Sequence, residues 1–64
     1  MEKIIIEMKE QLNREIKHLQ LVTGKALNEN DKAKRQELLA DVIKTSERIG
    51  IIRSNLSSLE LLTK

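Results

Sequence analysis

The chain has 64 residues, with 12 Lys and Arg against 10 Asp and Glu, a single His, and no Cys, Pro, Phe, Trp or Tyr. Without thiols, and with only one imidazole, it cannot build a disulfide framework, a structural zinc site or an iron-sulfur site, and we expect no cofactor. Apolar residues make up 39% and are interspersed with charges of both signs, which predicts one small, ordered, soluble domain. No apolar run exceeds three residues, so we expect neither an export signal nor a membrane-spanning segment, and a cytoplasmic location follows by default.

The first half of the chain has the periodicity of an amphipathic helix. Helix formers such as Glu, Lys, Gln and Leu fill it, and its apolar residues recur every three or four positions. The one gap in this spacing, at Glu15, is flanked by Ile16. We therefore predict a first helix over about residues 2–23. Its apolar seam is formed by Ile5, Met8, Leu12, Leu19, Val22 and Ala26.

Turn chemistry is concentrated in one segment in the middle of the chain. Gly24 can adopt the left-handed conformation that ends a helix, and Asn28 is a good N-cap for the next one. These residues predict a hairpin turn at 24–28 and a second helix over about residues 29–62. The seam of this second helix alternates steps of four and three and consists of Leu38, Val42, Thr45, Ile49, Ile52, Leu56 and Leu59.

The second helix is predicted to extend well past the first. At ~1.5 Å per residue, it overshoots its partner by about a dozen residues, beginning near Gly50, and the first helix would be too short to cover the apolar residues there. An alternative is a break near residues 50–55, with Ser54 or Asn55 capping a short third helix that folds back. A single Gly costs only about 1 kcal/mol inside a helix, so we favour the continuous helix.

Together these features predict an all-α fold, an antiparallel helical hairpin with a longer second helix. A hairpin of this size cannot bury every apolar face by itself, so we expect it to assemble into a homodimeric four-helix bundle or coiled coil. The residues expected in the oligomer core are Ile5, Met8, Leu12, Leu19, Val22, Leu38, Val42 and Ile49. The residues expected to form a partner-binding surface are Ile52, Leu56, Leu59 and Leu62.

The polar residues are typical of a solvated, salt-bridged surface, and we expect neither a catalytic site nor a metal site. Helical spacing predicts three ion pairs, Glu10 with Arg14, Asp31 with Arg35, and Asp41 with Lys44. Glu15 and His18 match the Glu-x-x-His spacing of di-iron bundles, but such a site needs a second unit of this kind and two further Glu ligands. His18 is expected in solvent on the flank of the first helix.

A short segment of the second helix resembles a known family. Residues 36–38, Gln-Glu-Leu, match the centre of the S-Q-E-L-D signature that the Spo0E-like aspartyl-phosphate phosphatases, themselves small hairpins, carry early in their second helix. The Ser and the Asp of that signature correspond here to Arg35 and Leu39. The resemblance implies phosphate release from a phosphorylated response regulator, with Asp41, two positions beyond the signature's Asp, as the residue to test.

The net charge of +2 arises entirely within residues 25–36. A basic turn formed by Lys25, Lys32, Lys34 and Arg35 suggests, as an alternative function, a nucleic-acid-associated hairpin. The excess is small, however, and there is no aromatic residue on which bases could stack. The favoured hypothesis is therefore a noncatalytic protein-protein interaction module, such as a regulator, inhibitor or adaptor, that acts as a homo-oligomer and contacts another protein.

Overall fold

The hairpin consists of two antiparallel helices. The structure, a computed structural model, describes residues 2–63. Helix α1 spans Glu2–Asn28 and helix α2 spans Lys32–Leu62, and these residues contain no strand. The Cα atoms extend over 49 × 14 × 11 Å, which is the size of two helices side by side without a further layer. The predicted all-α antiparallel hairpin with a longer second helix is confirmed.

One apolar seam joins the two helices, and it follows the predicted three-four spacing. The helices are held together where their apolar stripes face each other, because burial of aliphatic side chains is the main stabilising term. The buried residues are Val22, Ala26, Thr45, Ile49, Ile52 and Leu56. The half-buried residues along the same seam are Ile5, Met8, Leu12, Leu19, Leu38, Val42 and Leu59, together with Ile16 on its flank.

The predicted turn at 24–28 is wrong, because these residues belong to α1. Gly24 lies within the helix and has no positive φ, so it does not end the helix in the left-handed conformation. Continuing the helix places Ala26 at the next seam position, where it is 5% exposed. This contact with α2 offsets the cost of a helical Gly, which is only about 1 kcal/mol.

The connection between the helices is residues 29–31, and its hydrogen bonds explain where α2 begins. Asp31, not the predicted Asn28, is the N-cap, and its Oδ1 accepts a hydrogen bond of 2.9 Å from the Ala33 amide. The Asp31 amide in turn donates to Glu29 Oε1 at 3.0 Å. Arg35 closes the loop by donating from Nε and Nη2 to the Glu29 carbonyl oxygen at 3.1 and 3.0 Å. The side chains of the short loop therefore satisfy the amides of Asp31 and Ala33 and the carbonyl oxygen of Glu29.

Helix α2 is continuous through Gly50, so the alternative break near residues 50–55 does not form. Because α1 has 27 residues and α2 has 31, α2 is longer by four residues rather than by a dozen. The N-terminal half of α1 therefore covers the segment that was expected to be uncovered. Ile52 and Leu56 are each 7% exposed and belong to the hairpin core.

The position of the N-cap can be tested by two matched substitutions. Asp31→Ala removes the side chain that holds the Ala33 amide, and we expect it to lower the free energy of unfolding by about 1 kcal/mol. Asn28→Ala changes an exposed residue inside α1 and should alter stability by less than about 0.5 kcal/mol. Urea unfolding followed by circular dichroism, at one fixed protein concentration, measures both. The opposite order of effects would contradict the observed loop.

Candidate functional site

A polar cluster crosses the hairpin near its middle. Glu15 and His18 lie one turn apart on α1, while Asp41, Thr45 and Arg48 follow one another at steps of four and three on α2. Both spacings place the side chains on a single helix face, so the two sets meet where the helices pack. Thr45 is fully buried within the seam, and the Glu15 side chain is only 20% exposed.

The members of this cluster form a continuous chain of contacts from one helix to the other. Arg48 donates from Nε to Glu15 Oε2 at 3.1 Å, and its Nη2 lies 3.1 Å from the same oxygen. Arg48 Nη2 also donates to Thr45 Oγ1 at 3.2 Å, and Thr45 Oγ1 donates to Asp41 Oδ1 at 3.2 Å. His18 Nε2 completes the chain at 3.3 and 3.2 Å from Asp41 Oδ1 and Oδ2.

The geometry of the cluster fits alignment of the helices rather than chemistry on a substrate. The Thr45 hydroxyl donates to the Asp41 carboxylate but is fully buried, so a substrate cannot reach it as a nucleophile. Among the described residues, no three His, Cys, Asp or Glu side chains come close enough together to hold a metal ion. Glu15 and His18 contact different partners, Arg48 and Asp41, which separates the two ligands of the Glu-x-x-His spacing. The cluster does fix which turn of α1 faces which turn of α2.

Sequence reasoning missed these interhelical pairs. His18 is exposed, as expected, but its contact with Asp41 was not predicted. Asp41 was paired with Lys44, whereas the ion pairs within residues 2–63 are His18 with Asp41 and Glu15 with Arg48. The three predicted ion pairs within the helices and the loop are therefore wrong. The signal that finds the observed pairs is distance along the chain from the loop, because residues roughly equidistant from residue 30 face each other in an antiparallel hairpin.

The basic residues at the tip are mixed with carboxylates. Lys25, Lys32, Lys34 and Arg35 are all exposed, but the Arg35 guanidinium is engaged with the Glu29 carbonyl oxygen. An open groove beside the tip is lined by Lys25 and Lys34. The same groove carries the carboxylates of Glu29, Glu37 and Asp41. Such mixed charge does not form the continuous basic track that a nucleic-acid backbone requires.

The residues expected to bind a partner are divided between core and surface. Ile52 and Leu56 lie inside the hairpin, so the expectation that they lack cover is wrong, and an acidic substitution at Leu56 would disrupt the hairpin itself. Leu59 is half-buried and Leu62 is exposed. In the segment that resembles the phosphatase signature, Glu37 is exposed, and the carboxylate of nearby Asp41 is engaged with His18 and Thr45.

Large apolar side chains remain exposed on both helices. The seam uses one side of each helix, and the aliphatic residues on the other sides have nothing to pack against. Those that remain at least 45% exposed are Ile4, Ile6, Leu21, Leu27, Leu39, Ile43, Ile51, Leu61 and Leu62. Within residues 2–63, neither helix combines the length and the apolar character that a membrane-spanning segment needs.

No protein-family model, characterised protein or solved structure matches this chain. What the hairpin can do therefore follows from its own side chains.

Substituting the two members of one ion pair in the polar cluster should change the stability of the hairpin in opposite directions. Arg48→Met leaves the largely buried Glu15 carboxylate without a cation, and we expect a loss of about 1–3 kcal/mol in the free energy of unfolding. Glu15→Leu fills the gap in the apolar seam and leaves Arg48, which is 48% exposed, free to reach water. We expect this change to raise stability by about 1 kcal/mol.

Urea unfolding of both variants and of the double variant separates these effects. In the Glu15→Leu background, Arg48→Met should cost less than about 0.5 kcal/mol, because no buried carboxylate then remains unpaired. Equal destabilisation by Glu15→Leu and Arg48→Met would show instead that the pair stabilises the hairpin by direct attraction.

Proposed function

We propose that this chain is a noncatalytic protein-protein interaction module that acts as a homo-oligomer, most simply as a homodimer. The observation that carries the proposal is the amount of apolar surface that the single hairpin leaves exposed. Isolated exposed Leu or Ile residues are ordinary in monomeric proteins, but nine large aliphatic side chains at 45% exposure or more are many for a hairpin of 64 residues.

The hairpin exposes more surface area than a folded monomer of its mass typically does, which supports association. A folded monomer of 7.4 kDa typically exposes about 4,200 Å². This hairpin exposes 5069 Å², which is roughly 850 Å² more. A standard protein-protein interface removes about 800 Å² from each partner. Covering one side of the hairpin with another protein would therefore bring its exposed surface to the value expected for its mass.

The distribution of polar groups favours a protein partner. Glu15, Arg48, Asp41 and His18 contact one another across the two helices, which leaves no convergent set of reactive groups in a cleft. The cations at the tip are interspersed with carboxylates, which disfavours a phosphate backbone. Aliphatic surface, by contrast, is what a helix buries when it packs into the groove of another protein.

The end of α2 offers a second contact. Leu61 and Leu62 are exposed there and Leu59 is half-buried, so these residues extend the apolar surface to the end of the hairpin that lies opposite the loop. In the proposal, this end contacts a further protein once the hairpin has dimerised, which is how small regulators, inhibitors and adaptors commonly act. This part of the proposal rests on analogy with such modules.

Sedimentation equilibrium tests self-association directly. We expect the purified chain at micromolar concentration to have twice the 7.4 kDa mass of one chain, and its helical circular dichroism should fall on dilution along with its mass. Because the contact is apolar, a tenfold rise in salt should change the dissociation constant by less than about threefold. A fully helical 7.4 kDa monomer at every concentration would contradict the proposal.

A further inference from the structure

The two broad faces of the hairpin, one on each side of the plane through its helices, differ in charge. One face holds the polar cluster, with His18 of α1 beside Asp41 and Arg48 of α2. The groove that continues this face toward the loop is lined by further charged residues, among them Lys25, Lys34 and Glu37. Burying this face against a protein would require desolvation of many charges, which is costly unless each finds a partner.

The opposite face is uncharged in its middle and toward the loop, while Lys9, Arg53 and Glu60 follow at the same spacing toward the open end. A groove between the helices on this side is lined by Ile16, Leu19, Gln20, Ser46, Ile49, Gly50 and Arg53. Seven residues make two helical turns, so Thr23 and Leu27 follow Ile16 and Gln20 on α1, while Leu39 and Ile43 precede Ser46 and Gly50 on α2. We call these eight residues the uncharged face: Ile16, Gln20, Thr23, Leu27, Leu39, Ile43, Ser46 and Gly50.

The uncharged face includes some of the most exposed aliphatic side chains of the hairpin. Leu27 is 81% exposed and Ile43 60% exposed, and Leu39 lies one turn before Ile43 at 45%. Ile16 is half-buried at the edge of the seam, so the apolar surface continues from the seam outward onto this face. Arg53 lies at the end of the groove and is the one charged residue that lines it.

On the basis of the proposed self-association, we infer that the uncharged face is the dimer interface and that its occupant is the same face of a second copy. A two-fold dimer uses one patch on both partners, so the patch must be complementary to itself. The eight residues of the uncharged face meet this condition, because none of them brings a charge against its own copy, and Arg53 lies beyond them at the end of the groove.

Two further features of the face fit a second copy. The 5069 Å² that the hairpin exposes exceeds the typical value for its mass by roughly one partner's share of a standard interface, so one layer of equal size suffices to cover it. Gly50 and Ser46 are small, and a Cβ on Gly50 would meet nothing within 4 Å, so the second layer can approach α2 closely. Stacking two such layers gives a four-helix bundle with Leu39 and Ile43 in its centre.

Two isoleucines on α2 provide a matched test of the face. Ile43 lies on the uncharged face, whereas Ile51 lies three residues after Arg48 on the charged side, and both are 60% exposed. Ile43→Asp places a carboxylate in the interface, and we expect it to raise the dimer dissociation constant at least about 30-fold. Ile51→Asp should change it by less than about threefold. Sedimentation equilibrium measures the constants, and circular dichroism at high concentration verifies that both variants remain helical.

The two glycines provide an independent test, because the chain contains no Cys and each single-cysteine variant has one reactive thiol. Gly50 and Gly24 are both helical, and an added Cβ meets nothing within 4 Å at either position. We expect the Gly50→Cys thiol to react with a soluble aromatic disulfide at least about tenfold more slowly in the dimer than at monomeric dilution. The Gly24→Cys thiol, in the groove of the charged face, should react at the same rate at both concentrations.

The outcomes separate this inference from the proposed function. The uncharged face is supported as the interface if Ile43→Asp disrupts the dimer and Ile51→Asp does not. It is also supported if Gly50→Cys, but not Gly24→Cys, labels slowly in the dimer or disrupts it. If the wild-type chain dimerises but Ile43→Asp and Ile51→Asp have equal effects, or Gly24→Cys is the protected thiol, the dimer interface is not the uncharged face, while self-association stands. A wild-type chain that is monomeric throughout overturns both.

Discussion

The structure depends on a single apolar seam between two helices. Each helix contributes aliphatic side chains every three or four residues, and the best buried of them, such as Val22, Ile49 and Ile52, lie along this line. No aromatic ring is available to anchor the packing, so burial accumulates through the length of the seam instead. Because residues 2–63 form only two helices, the seam covers one side of each. The exposed aliphatic residues on the remaining sides are a direct consequence of this architecture.

An aliphatic seam with a regular repeat does not by itself select one alignment of the helices. Sliding α1 along α2 by two turns would again bring apolar residues together over most of their length. The polar cluster removes this degeneracy, because a shifted Glu15 would lose Arg48 and remain largely buried without a cation. Asp41 would likewise lose His18, which is the other ion pair that joins the two helices. The short loop, closed by Asp31 and Arg35, favours the same alignment.

The spacing of apolar residues was enough to predict the two helices and every residue of the seam, because burial enforces that period. It was not enough to place the loop. Gly24 permits a turn but does not require one, and the contact of Ala26 with α2 decides in favour of helix. This difference of a few residues lengthened α1, and it moved Ile52 and Leu56 from an expected overhang into the core. The cross-helix pairs depend on the alignment that the loop sets, so spacing within one helix could not reveal them.

Because the two faces differ in charge, helix alignment and dimer association depend on different side chains. The contacts that align the helices within one chain run from Glu15 and Thr45 in the seam to His18 on the charged face, whereas Leu39 and Ile43 lie on the uncharged face. A dimer built on the uncharged face leaves His18, Asp41 and Arg48 facing water, where these partly exposed groups keep their hydration. Alignment and association are thus carried by different side chains on the same two helices. A substitution that weakens one process therefore need not weaken the other, which lets a chain of this size specify both.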